Sequence, residues 1–135
     1  MKLLKAERNG KDNGSLEKTL TKDEVNRILQ HRIRIGRGIF DTARFSGVRV
    51  IDVIIVLKEF GFIQDKRLQD MDSAEPFLYA ELIDKEFGEH EYGVYTSSSG
   101  RILEVSNQDI RVYVDNNYGK AKKQSFEKYI TSRKQ

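Results

Sequence analysis

The sequence predicts an α+β fold: three to four helices packed on a small three-stranded antiparallel sheet. Two observations carry this. Apolar residues recur at helical spacing in four separate segments, whereas residues 92–97, 101–106 and 110–115 alternate at period two and are rich in Val, Ile and Tyr. Ser97-Ser98-Ser99-Gly100 and Asn107-Gln108-Asp109 separate the alternating segments, and both have turn chemistry, so the three strands read as a meander. At 135 residues the chain is of one-domain length. It divides into a loosely ordered basic segment over residues 1–20, an α+β domain over 21–119 and a basic helix or tail over 120–135.

The first helix is expected over residues 22–31. Thr21 caps it and Glu24 reaches back, a reciprocal capping box, while Val25, Ile28 and Leu29 share one face. Arg32-Ile33-Arg34-Ile35 then alternates strictly, which suits a short extended segment with both arginines on one side. Gly36-Arg37-Gly38 breaks it. Residues 48–60 are rich in β-branched residues, yet Arg49, Asp52 and Glu59 fall on one narrow helical face. Thirteen residues is long for a strand. Ser46 offers an N-cap and Gly61 a C-cap, so a buried helix is expected. A third helix follows over 74–87, with Asp72 or Ser73 before it and Pro76 in its first turn. Leu78, Tyr79, Leu82, Ile83 and Phe87 form its inward stripe, Glu81, Asp84 and Lys85 face out, and Gly88 ends it. After the strands, a last helix over 121–132 docks Phe126, Tyr129 and Ile130 and leaves its lysines outside.

Charge is partitioned unevenly. Residues 68–119 carry three Lys or Arg against eleven Asp or Glu, whereas residues 1–67 carry fifteen against nine and residues 120–135 six against one. Two basic ends around an acidic centre point to an anionic partner for the ends. Cysteine is absent, which excludes disulfides, thiol catalysis and thiolate metal sites and fits a reducing compartment. The longest apolar run, residues 53–57, is far too short to span a bilayer. A cytoplasmic protein is the expectation.

Two basic constellations are candidate nucleic-acid contacts. In the first, Arg32, Arg34, Arg37 and Arg44 lie among Phe40 and Phe45, with Gly36 and Gly38 allowing close backbone approach. Guanidinium groups bind phosphates bidentately and exposed aromatics stack on unpaired bases. The second is Lys120, Lys122, Lys123 and Lys128, continued by Arg133 and Lys134. Five phosphate contacts would give a salt slope of about −4.5, or roughly 500-fold weaker binding between 50 and 200 mM salt. The competing readings are a solvated face for the arginines and a solubilising tail for the lysines.

Element order is similar to that of a winged helix-turn-helix, although no family motif supports the likeness. The helix at 74–87 would then occupy the groove-reading position, where Glu81 and Asp84 would be repelled by phosphates. Catalytic signals are thin. His31 and His90 with a lysine would form the acid/base set of a metal-independent ribonuclease, but nothing in their spacing unites them. Glu86 and His90 are four apart, yet Gly88 intervenes and no second histidine is near. Neither catalytic residues nor a metal or cofactor are expected. The reading is a small nucleic-acid-binding accessory or regulatory protein making mainly phosphate contacts. The alternative is a protein-binding modulator, an inhibitor or assembly factor of bipolar charge, and homo-oligomers suit either.

Overall fold

The computed structural model describes residues 20–63 and 76–133. Among them are six α-helices: α1 Lys22–Leu29, α2 Ile39–Ser46, α3 Val50–Glu59, α4 Pro76–Phe87, α5 Asn107–Asn117 and α6 Phe126–Arg133. One two-stranded antiparallel sheet, β1 Val94–Thr96 with β2 Ile102–Glu104, lies between α4 and α5. The expected three-stranded sheet carrying three to four helices is therefore corrected to a mainly helical fold with one hairpin. The winged-helix likeness falls with it, since the hairpin follows α4 and two further helices come after it. The expected segment 1–20 lies outside the described residues except for Leu20, as do the proposed caps Asp72 and Ser73 and the terminal Lys134.

Helix α1 begins as expected. The Glu24 amide donates to Thr21 Oγ1 at 3.0 Å, and the Thr21 amide to Glu24 Oε1 at 2.8 Å. It does not give way to a strand. Residues Gln30–Ile35 continue it as a π-helical turn, closed by Gly36 in the left-handed region at φ 89°. The alternation of Arg32 to Ile35 misled because the wider turn sends Arg32 inward, where its side chain is 3% exposed, to meet Asp84 from α4. A partner 52 residues away thus overrides a local pattern.

Helix α2, unassigned from sequence, starts after Gly38 and ends at Gly47, φ 73°. Its cap comes from another element: the Ile39 amide donates to both carboxylate oxygens of Asp84, at 3.1 and 3.0 Å. Helix α3 lies where expected and buries Val53, Ile54, Val56 and Leu57. Ser46 is not its cap but the buried last residue of α2. Asp52 takes the Arg49 amide at 3.0 Å and the Arg49 guanidinium at 3.0 and 2.7 Å instead. Gly61 closes the helix, with the Phe62 amide donating to the Leu57 carbonyl at 2.8 Å.

Helix α4 forms but is rotated from the expected phase. Tyr79 and Ala80 are buried, Ile83 and Phe87 half-buried, and Leu78 and Leu82 are 64% and 43% exposed. Asp84 turns inward, and the pull of Arg32 and of the α2 N-terminus sets that rotation. The hairpin register pairs Tyr95 with Leu103, and its serine turn is pinned by Glu127, which accepts from the Ser98 amide at 3.1 Å and Ser98 Oγ at 2.7 Å. Those bonds hold the Glu127 carboxyl below its ordinary range.

The expected third strand, 110–115, is the middle of α5. Ser106 Oγ accepts from the Asp109 amide at 3.1 Å and Asp109 Oδ2 from the Ser106 amide at 2.8 Å. The presumed turn residue Asp109 is thus the third residue of a capped helix. Ile110, Tyr113, Val114 and Asn117 then recur at helical spacing and are buried. Helix α6 docks Phe126, Tyr129 and Ile130 as expected, and Phe126 meets the Tyr113 ring edge-on at 5.1 Å. The core joins α1, α2, α3 and α5 into one cluster, with α4 against α3 and α6 on α5.

Candidate nucleic-acid interface

The arginines expected to act together separate into structural and surface groups. Arg32 is structural. Its Nη1 donates to Asp84 Oδ1 at 2.6 Å and to the Arg37 carbonyl at 3.1 Å, and its guanidinium lies 3.6 Å from the Phe87 ring centre. Burial pulls its pKa down, against the opposing effect of Asp84. The two glycines are likewise filled from within. A Cβ at Gly36 would meet the His90 ring at 2.6 Å, and one at Gly38 would meet Asp84 Oδ2 at 2.9 Å. The carboxylate at this glycine-bounded helix start is the protein's own Asp84, which also holds Arg32, one of the expected phosphate contacts.

The remaining arginines build a surface group around Phe45, whose residue is 49% exposed. The Arg37 guanidinium lies 4.1 Å and that of Arg44 5.6 Å from the Phe45 ring centre. His31 stacks on the same ring at 5.8 Å. Arg37 Nε donates to His31 Nδ1 at 3.2 Å, which needs that nitrogen unprotonated. Burial lowers the His31 pKa first, and Arg37, Arg34 and Arg27 lower it further. Arg34 is held one step away, with Nε on Gln30 Oε1 at 2.7 Å and Nη1 on the Tyr92 hydroxyl at 2.8 Å. Among the described residues no carboxylate forms an ion pair with Arg34, Arg37 or Arg44. Sequence reasoning missed His31 and Tyr92 as members, because no local spacing joins residue 31 to 45 or residue 34 to 92.

Phe40 does not belong to this group. At 100° per residue, Phe40 and Phe45 project from α2 about 140° apart. Phe40 instead stacks on Phe77 of α4, rings 5.8 Å apart and inclined by 6°. Both rings are exposed, as are Leu78 and Leu82 of α4.

The lysines lie elsewhere. Lys123 Nζ is 5.0 Å from the centre of the Phe60 ring and donates to the Lys120 carbonyl. Lys120, Lys122 and Lys128 are exposed, while Arg133 is tied to buried Asp109 at 2.9 Å. Phe60 ends α3 and Phe45 precedes its start, so the length of that ten-residue helix, about 15 Å, stands between the two groups. The structure does not merge them into one cluster.

Helices α2 and α3, joined across Gly47, Val48 and Arg49, have the general form of a helix-turn-helix. The outward side of α3 is poor in reading groups: Ile51 and Ile55 are half-buried, and Arg49 is bonded to Asp52. That leaves Lys58 as its exposed donor, against the several base-edge contacts of a groove-reading helix.

Other chemistry finds little support. His90 Nε2 lies 2.8 Å from the Ile33 carbonyl and its ring stacks on Phe87, so the two histidines serve separate contacts. Among the described residues no group of three His, Asp or Glu side chains is placed to hold a metal ion. No helix there is long and apolar enough to cross a membrane. Comparison with protein-family models, with curated proteins and with solved structures finds no match to this chain.

Proposed function

We propose that this chain is a nucleic-acid-binding accessory or regulatory protein that engages single strands through Arg34, Arg37 and Arg44 around Phe45. The supporting observation is the half-exposed Phe45 ring with two guanidinium groups beside it, to which no carboxylate among the described residues is paired. Aromatic faces stack on bases of any sequence, and neighbouring cations follow the backbone. A guanidinium packed on a ring keeps its N–H edge open for phosphate oxygens. Binding of this kind is salt-dependent and weakly sequence-specific. Three phosphate contacts on a single strand give a salt slope of about −2, roughly 20-fold weaker binding between 50 and 200 mM salt.

The test is fluorescence anisotropy of a labelled 20-nucleotide oligo-dT and oligo-U across that salt range. The expected result is a slope near −2 that flattens by about 0.7 for each of Arg37→Ala and Arg44→Ala. Absence of saturable binding at 50 mM salt, or a slope unchanged in the double variant, overturns the reading.

A further inference from the structure

We infer that Tyr92 is a second base-stacking platform of the nucleic-acid site and marks the end of the stretch of strand held there. The inference rests on the reading proposed above and adds to it a residue and a boundary. Tyr92 is 65% exposed, more than any other aromatic residue among those described. Exposure of a single ring is ordinary. What sets Tyr92 apart is that it is fastened without being buried. Its hydroxyl accepts from Arg34 Nη1 at 2.8 Å. The amide of the next residue, Gly93, donates to the Arg34 carbonyl at 2.7 Å, and His90 Nε2 lies 2.8 Å from the Ile33 carbonyl. Both sides of Tyr92 are thereby tied to the π-helical turn that carries His31 and Arg34. A ring already held in place gives up little side-chain entropy when a base stacks on it.

The same turn links Tyr92 to Phe45. His31, stacked on Phe45, stands three residues before Arg34, a neighbouring position on a helix surface. Arg34 bonds Gln30 through Nε and Tyr92 through Nη1, and among the described residues no hydrogen bond occupies its Nη2. Nη2 is the donor left for a phosphate between a base on Phe45 and a base on Tyr92. Charge then sets where the strand stops. Glu89 and Glu91 are exposed close to Tyr92 in the chain, and phosphates carried past the ring would be repelled by them. A base needs no cation in order to stack. Tyr92 therefore takes the last base held, and the phosphates beyond it turn away.

The experiment measures anisotropy of short labelled oligo-dT, and of an abasic strand with the same number of phosphates, on the full chain at low salt. Tyr92→Ala is expected to weaken oligo-dT binding about tenfold and Tyr92→Phe, which keeps the ring, by less than about threefold, while abasic-strand binding changes by less than about twofold in either. Ring-proton NMR signals of Tyr92 in the unaltered chain should move upfield with oligo-dT and stay in place with the abasic strand. Replacing both acids, Glu89→Gln with Glu91→Gln, should tighten both strands, and unchanged affinity overturns the boundary. The stacking role is overturned if Tyr92→Ala binds oligo-dT as the unaltered chain does. It is also overturned if Tyr92→Ala weakens both strands equally, the mark of a residue that only positions Arg34. Phe45→Ala separates the two levels of failure. Binding that Phe45→Ala weakens and Tyr92→Ala does not removes Tyr92 alone, whereas no saturable binding by the unaltered chain removes the nucleic-acid reading together with this inference.

Discussion

Replacing Asp84 tests whether Arg32 belongs to the fold rather than to a ligand surface. Its carboxylate meets the Arg32 guanidinium at 2.6 Å and takes the Ile39 amide with both oxygens. Removing one partner of a buried ion pair costs about 3–5 kcal/mol, because the other charge is left uncompensated. Asp84's side chain is 27% exposed, so water re-enters and the lower end, about 3 kcal/mol, applies. Loss of the helix cap adds about 1 kcal/mol. Asp84→Ala is therefore expected to destabilise by about 4 kcal/mol. Asp84→Asn keeps one acceptor oxygen for the cap and loses about 3 kcal/mol. At about 3–4 °C per kcal/mol for a domain of this size, the alanine variant melts roughly 12–16 °C lower. Urea unfolding followed by circular dichroism measures both. A cycle with Arg32→Met isolates the pair, and the coupling should reach at least about 2 kcal/mol. A loss under about 1 kcal/mol for Asp84→Ala, or additive single variants, would refute the assignment of Arg32 to the core.

The remaining predictions concern the Phe45 group and the helix that the sequence hid. Phe45→Ala should lose about 1–3 kcal/mol of single-strand affinity while leaving the salt slope unchanged, because stacking releases no counterions; anisotropy at several salt concentrations reads both. His31 is pushed below its ordinary value of 6.5, chiefly by burial and then by Arg37, Arg34 and Arg27. The unfolded chain therefore binds the extra proton first, so stability is full above pH 6.5 and falls as pH drops below it. His31→Gln should flatten that fall in denaturant titrations. A bound polyanion offsets the arginines, so oligonucleotide binding should take up protons and strengthen as pH falls below 6.5, again less in His31→Gln. Ser106→Ala removes the oxygen that caps α5 and should cost about 1 kcal/mol in thermal unfolding.

Much of the helical framework was legible in the chain. The α1 capping box, the polar positions of residues 48–60, the serine turn of the hairpin and the inward trio of α6 each carried a local physical signal that the fold uses. What escaped depended on distant partners or on competing local signals. The alternation from Arg32 to Ile35 matches a strand, and the carboxylate that draws Arg32 inward lies on α4. The same contact rotates α4 away from the phase its leucines suggest. In α5 the β-branched and aromatic residues outweighed a capping signal that was present, with serine at 106 and an acid three residues later. Of the eight candidate binding residues, Arg34, Arg37 and Arg44 form the surface group, Arg32 is held within the fold by Asp84, Lys123 lies by Phe60 at the far end of α3 and bonds to the Lys120 carbonyl, and Lys122 and Lys128 are exposed.

The most direct measurement is backbone and arginine side-chain NMR mapping of a 12-nucleotide single strand on the full chain at 50 mM salt. The account predicts shifts concentrated at His31, Arg34, Arg37, Arg44 and Phe45, with Phe77 and Leu82 unmoved. Shifts confined to Lys122 and Lys128, or no saturable shifts at all, would contradict it.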